Sequence, residues 1–286
     1  MDPLALIPLK TQQEDAEDER SYQVHSDLVS TLPEDSRWAP VRKFHGFWFR
    51  DGWLPSILAT REHFLARPGD VFIAAVPKSG TTWLKSIVFS VVHRGRHPPH
   101  HEDHPVRHAN PHDLVHLHDQ LYRWRKNPDL TGLKGSYGIR PIPLDEALDM
   151  FCSGITNSGP FWRHVLEYGN EHVAHPDRVF FLKYEAMKED PVGSLQKLAA
   201  FLGCPFTADE ESQGVPAGIS ELCSFSNLRN LGVNKDGVLE KGRHVEKKLF
   251  FRKGKVGDWT NHLTPEMAEK LDRITKEKLS GSGLSF

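Results

Sequence analysis

The chain has 286 residues, of which 38% are hydrophobic and 26% charged, enough to bury a sizeable core in one compact soluble domain. A formal net charge of -2 argues against a nucleic-acid binder held by counterion release. Met1 to Arg20 shows neither a basic n-region nor a sustained apolar run, which predicts no signal peptide and no membrane anchor. The three cysteines, Cys152, Cys204 and Cys223, form no tight cluster and fit a reducing, cytoplasmic setting.

In chain order, residues 1–40 read as an acidic, partly disordered tail with a charge run at Glu14 to Glu19, and 41–286 as a single domain. The first order is expected at Phe47-Trp48-Phe49 and Trp53, aromatics that either frame a ligand or pack against the core, packing being favoured. Val71 to Val76 is a continuous apolar run, the pattern of a buried strand. It leads directly into Pro77-Lys78-Ser79-Gly80-Thr81-Thr82-Trp83-Leu84-Lys85, which predicts a strand, a short loop and a helix beginning at once. Such a helix start presents unpaired amide donors and a positive dipole end to an anion. Gly80 lets the backbone approach, Ser79, Thr81 and Thr82 add hydroxyl donors, and Lys78 adds a full charge able to follow negative charge as it develops. The Walker loop places its lysine after the glycines, so a kinase or NTPase is disfavoured, although either phosphoryl or sulfuryl groups would fit.

A helix is expected over Leu84 to His93, then a surface turn at Arg94 to Pro99. Histidines crowd the interval from His93 to His118; His112 and His116 lie four apart with Asp113 between, but no third ligand is marked by spacing and zinc is disfavoured. Further helices are predicted at Pro111 to Trp124, Leu144 to Ser153, Pro160 to Asn170, Pro191 to Leu202 and Pro265 to Leu279, and a second buried strand at Val179 to Tyr184. Near the end, Phe251-Arg252-Lys253-Gly254-Lys255-Val256-Gly257-Asp258-Trp259 is a basic, glycine-containing loop suited to a phosphate monoester when read with the first loop.

Together these strings resemble the cytosolic sulfotransferases. The likeness extends to His45-Gly46-Phe47-Trp48-Phe49, Asn110-Pro111-His112-Asp113-Leu114, Gly159-Pro160-Phe161-Trp162 and Phe181-Leu182-Lys183-Tyr184-Glu185. Cys223-Ser224-Phe225 and Val233-Asn234-Lys235 resemble the plant branch. The resemblance implies an α/β, P-loop-like three-layer fold with a central, mostly parallel sheet flanked by helices. It also implies in-line transfer of a sulfuryl group from 3'-phosphoadenosine 5'-phosphosulfate (PAPS) to a hydroxyl of a small molecule, with no metal. By resemblance Lys78 stabilises charge on the leaving nucleotide, with Ser79, Gly80, Thr81, Thr82 and Trp83 at the phosphosulfate, Tyr184 on the nucleotide, and Arg252, Lys253 and Gly254 at the 3'-phosphate.

One departure stands out. Family members carry a T-H-L-P segment, whose histidine is the catalytic base, and a strand ending in C-R-N-P-K-D, whose arginine and a later serine bind the 3'-phosphate; neither string occurs in this sequence. Between Leu133 and Leu144 glycine and proline replace strand character, so the sheet reads as one strand short. Losing a central strand exposes ladder donors and acceptors, which predicts marginal stability or a rearranged sheet. The departure predicts impaired turnover, the alternative being a catalytically inactive PAPS/PAP-binding pseudoenzyme or a truncated gene product. The dimer stretch of animal relatives, K-x-x-x-T-V-x-x-x-E, has lost its lysine and valine in Thr260 to Glu269, leaving a monomer or weak homodimer.

Overall fold

The computed structural model describes residues 20, 23–115, 141–239 and 246–284. The expected charge run at Glu14 to Glu19, the far part of the Pro111 to Trp124 helix, His116, His118 and most of the glycine- and proline-rich stretch before Leu144 lie outside them. The chain divides into two compact units, one of Met1–Pro68 with Leu117–Ile142 and one of Gly69–His116 with Pro143–Phe286.

In the first unit, a helix at 23–30 (α1) precedes the aromatic run. Strands β1 (Glu34–Asp35), β2 (Val41–Phe44) and β3 (Phe47–Arg50) form an antiparallel sheet in that order. The β2–β3 turn is the dipeptide His45-Gly46, both at positive φ (49° and 86°), the backbone twist that a two-residue hairpin requires. Helix α2 (Leu54–His63) packs Leu54 and Leu58 onto Val29 of α1, with Phe44 and Phe49 from the sheet. Phe49 therefore serves packing.

The second unit is built around α3 (Thr81–His93). Its buried side, Lys85, Ser86, Ile87, Ser90 and Val91, faces α9 (Pro191–Phe201) and α11 (Val215–Leu222). The core there holds Ile87, Val91, Leu195, Leu198, Ile219, Leu222 and Phe251, each large aliphatic worth roughly 1.5 to 3 kcal/mol when removed from water. Between α3 and α9 lie α4 (Pro105–His108), α5 (Pro111–Leu114), α6 (Leu144–Cys152), α7 (Phe161–Ala174) and α8 (Tyr184–Glu189). Beyond α9 come α10 (Ala208–Ser212), then after α11 the short α12 (Phe225–Asn230) and α13 (Gly232–Lys235), and finally α14 (Pro265–Lys278). A second cluster joins Trp162 and Val165 of α7 to Leu279, and the Trp162 indole donates to Thr275 Oγ1 at 3.0 Å.

The expected helices are found within a residue or two at one or both ends, except that the one predicted over Pro111 to Trp124 stops after a single turn at Leu114, where Val115 turns extended (φ -121°, ψ 107°), and the two expected strands are not formed as strands. Val71 to Val76 has no ladder with any described residue, and Val71 and Phe72 are exposed rather than buried. Val179 to Lys183 is likewise without a ladder, and Tyr184 opens α8 instead of closing a strand. Apolar composition predisposes a segment to extend, yet a strand exists only when a neighbour supplies its donors and acceptors. Among the described residues the sheet is the antiparallel one of the first unit.

Candidate active site

The loop between Val76 and α3 is held by its own hydrogen bonds. Ser79 donates twice to the Val76 carbonyl, from its amide at 3.3 Å and from its hydroxyl at 2.7 Å. The turn drives Lys78 to φ 71° and Gly80 to φ 101°. The glycine adopts this freely, whereas the lysine carries a strain of about 1 to 2 kcal/mol, of the kind stored at functional sites. A Cβ on Gly80 would also stand 3.2 Å from the Tyr184 ring. Gly80 is the N-cap of α3 and no side chain caps that terminus, so its first-turn amides point toward the loop.

Around this turn the second unit assembles a wall of polar and aromatic groups. Lys78 Nζ donates to the Leu249 carbonyl at 2.8 Å and lies 5.9 Å from the centre of the Phe250 ring. Burial, and then the charge of Arg252, push the Lys78 ammonium below its ordinary range. Trp83 meets Tyr184 edge-on at 5.5 Å, and Lys188 lies 5.8 Å over the Trp83 ring. Burial, then the nearby Glu185, raises the Tyr184 phenol, so it stays a neutral donor.

The basic loop is organised by Asp258. Its buried carboxylate accepts from Lys253 at 2.7 Å, Arg252 at 2.6 Å and Asn261 at 3.2 Å. Lys253 first, then Arg252, hold it well below the usual carboxylate range. An arginine has five N–H donors, so Arg252 bound to Asp258 keeps donors for a second anion. Gly254, at φ 64°, sits so close beneath the Phe225 ring that a Cβ there would collide with it.

The structure thus draws Lys78, Ser79, Gly80, Thr81, Thr82, Trp83 and Tyr184 together, and brings Arg252 within electrostatic reach of Lys78. The sequence singled out His112 in the zinc reading, and Lys85, the Leu249 carbonyl and the anchoring role of Asp258 were passed over. Lys85 had a signal, since it lies three residues after Thr82 on one helix face. Of the histidine pair considered for zinc, His116 lies outside the described residues. Among the described residues no three His, Cys, Asp or Glu side chains group as metal ligands.

The fold and the anion-facing loop define a nucleotide-dependent group-transfer protein. The sulfotransferase domain matches residues 68–131 and 124–283. Cytosolic sulfotransferase 5 of Arabidopsis thaliana is 39% identical over 309 aligned positions, covering 91% of this chain and 95% of the relative. Cytosolic sulfotransferase 6 of the same plant is also 39% identical, covering 91% and 94%. A putative steroid sulphotransferase of Arabidopsis thaliana superposes with a TM-score of 0.68 at 27% identity, covering 98% of this chain and 99% of that one. A mouse sulfotransferase solved with PAP superposes at 0.55 with 24% identity, covering 85% and 96%. The chain belongs to the sulfotransferase family, alongside the plant cytosolic members, and has that family's α/β, P-loop-like fold and PAPS-dependent sulfuryl-transfer chemistry.

Proposed function

We propose that this chain binds PAPS between the Lys78 to Trp83 loop, Tyr184 and the Arg252 to Gly254 loop, and transfers sulfate to small hydroxylated acceptors at a reduced rate. The observation that carries the reading is the loop itself: Lys78 and Gly80 at positive φ, the α3 N-terminus without a side-chain cap, and the Tyr184 ring against Gly80. Lys78, now on the Leu249 carbonyl, would exchange that acceptor for the bridging oxygen of the leaving nucleotide.

The reduced rate follows from what the chain lacks. Covering 91% of 286 residues takes about 260 positions, against 309 aligned columns, so the alignment with cytosolic sulfotransferase 5 leaves about fifty columns empty in this chain. The family match also falls into two stretches that meet at 124–131. Both support a missing internal segment, the one that holds the T-H-L-P histidine and the R-N-P-K-D arginine. Loss of a general base typically slows a reaction by about a hundred to ten thousand times. Loss of a charged phosphate contact costs about 1.5 to 3 kcal/mol of affinity. The names of the relatives support a cytosolic setting, and no helix among the described residues is long and apolar enough to cross a membrane. The altered Thr260 to Glu269 stretch supports a monomer or weak homodimer.

Calorimetric titration with 3'-phosphoadenosine 5'-phosphate (PAP), paired with transfer of labelled sulfate from PAPS to phenols, flavonoids and steroid alcohols, tests the reading. Binding with slow transfer is the expected result. Transfer at a rate of at least about 1 per second, usual for enzymes, overturns the impairment, and no binding overturns the nucleotide site.

A further inference from the structure

Resting on this nucleotide-site reading, we infer that buried Lys85 and half-buried His112 form a donor relay that fixes the Thr82 hydroxyl as a hydrogen-bond donor to the bound anion. Lys85 is 2% exposed, and its Nζ donates to the Val115 carbonyl at 2.7 Å while standing 3.3 Å from His112 Nδ1. An ammonium has donors and no acceptor, so it faces the bare Nδ1 of the imidazole and leaves the ring proton on Nε2. His112 Nε2 lies 2.9 Å from Thr82 Oγ1. The Nε2–H thus donates to the hydroxyl oxygen, whose own proton is left for a third partner. Thr82 is the second residue of α3, in the turn whose amides face the anion loop.

The histidine is placed with unusual care. Asn110 caps α5 by accepting from the His112 amide at 3.0 Å, and its side chain donates to Asn234 Oδ1 at 2.8 Å; both asparagines are buried. On its other side the imidazole lies 4.4 Å from the Phe250 ring, the ring beneath Lys78. A side chain pinned by a cap, a lysine and a ring keeps one orientation. In that orientation His112 is a positioning residue, and its nitrogens are committed in a way that does not suit a general base.

Two measurements on the full chain test this. Long-range proton–nitrogen correlation spectra of histidine-labelled protein without ligand, with His112 assigned from H112Q, should show Nε2 protonated and Nδ1 bare. Protonation at Nδ1, or averaging between the two forms, overturns the relay, and K85M should produce that averaging. PAP titration should then show H112A weaker than wild type by roughly tenfold, the size of one hydrogen bond to a charged group, with H112Q restoring most of the loss because its amide can donate to Thr82 and accept from Lys85. Equal affinities of wild type and H112A overturn it. If wild type fails to bind PAP, the nucleotide site itself falls, and the tautomer spectrum of the free protein still decides the hydrogen-bond chain.

Discussion

Gly254 and Gly257 offer a matched pair for testing how the basic loop is built. Both adopt positive φ, 64° and 77°, so alanine at either position meets the same left-handed penalty of about 1 to 2 kcal/mol. Each also regains about 0.4 to 1 kcal/mol by stiffening the unfolded chain. They differ in their surroundings: nothing lies within 4 Å of a Cβ at Gly257, whereas at Gly254 the Phe225 ring would have to move. That ring packs on Phe251, their centres 6.2 Å apart, and Phe251 belongs to the core, so displacement should cost the 1 to 3 kcal/mol or so typical of overpacking. Gly254→Ala should therefore be about 1 to 3 kcal/mol less stable than Gly257→Ala. Urea denaturation of both variants, followed by tryptophan fluorescence, reads the difference directly. Equal stabilities would mean that Phe225 does not close over the loop, and the account of why glycine stands at 254 would be wrong.

Two other outcomes are expected. Arg252→Ala should weaken PAP by roughly ten- to a hundredfold while leaving adenosine 5'-phosphate, which has no 3'-phosphate, nearly unchanged; equal losses for the two nucleotides would remove Arg252 from the 3'-phosphate site. His104 is 1% exposed, and its Nδ1 accepts from the Val106 amide at 3.2 Å. Burial, then His97, Arg107 and His93, push its pKa down to about 4. Because the folded state holds the proton less well than the unfolded one, the stability this site contributes is present above pH 6.5 and lost as pH falls from 6.5 towards 4, by up to about 3 kcal/mol. His104→Asn keeps a cap for α4 and removes the titration, so denaturation at pH 7 and pH 4.5 should show a smaller acid loss than in wild type. Parallel losses in the two proteins would contradict this.

The anion loop was legible because its cause is local. Lys78 to Trp83 needs only a turn and a helix start, and both are written in Ser79, Gly80 and the hydroxyls. Most helix limits were legible for the same reason: Asp190 before Pro191 and Thr264 before Pro265 are N-caps followed by proline, and both accept from backbone amides as expected of that pattern. The strands at Val71 and Val179 were misread because a ladder depends on a partner far away in sequence, which no apolar run announces. The hairpin at Phe44-His45-Gly46-Phe47 was missed although its two-residue turn was in plain sight, since the aromatics drew attention to packing instead. Asp258 was overlooked as an anchor because a carboxylate among cations reads as charge balance until its burial is known.

The contact between Lys78 and the Leu249 carbonyl spans 171 positions. At ribosomal speeds of about 5 to 20 residues per second, the second partner emerges roughly ten to thirty-five seconds after the first. Throughout that interval the nascent chain has a helix start ready for an anion but lacks the groups that close it. A translation product halted before Leu249 would have the lysine without the acceptor that holds it in place.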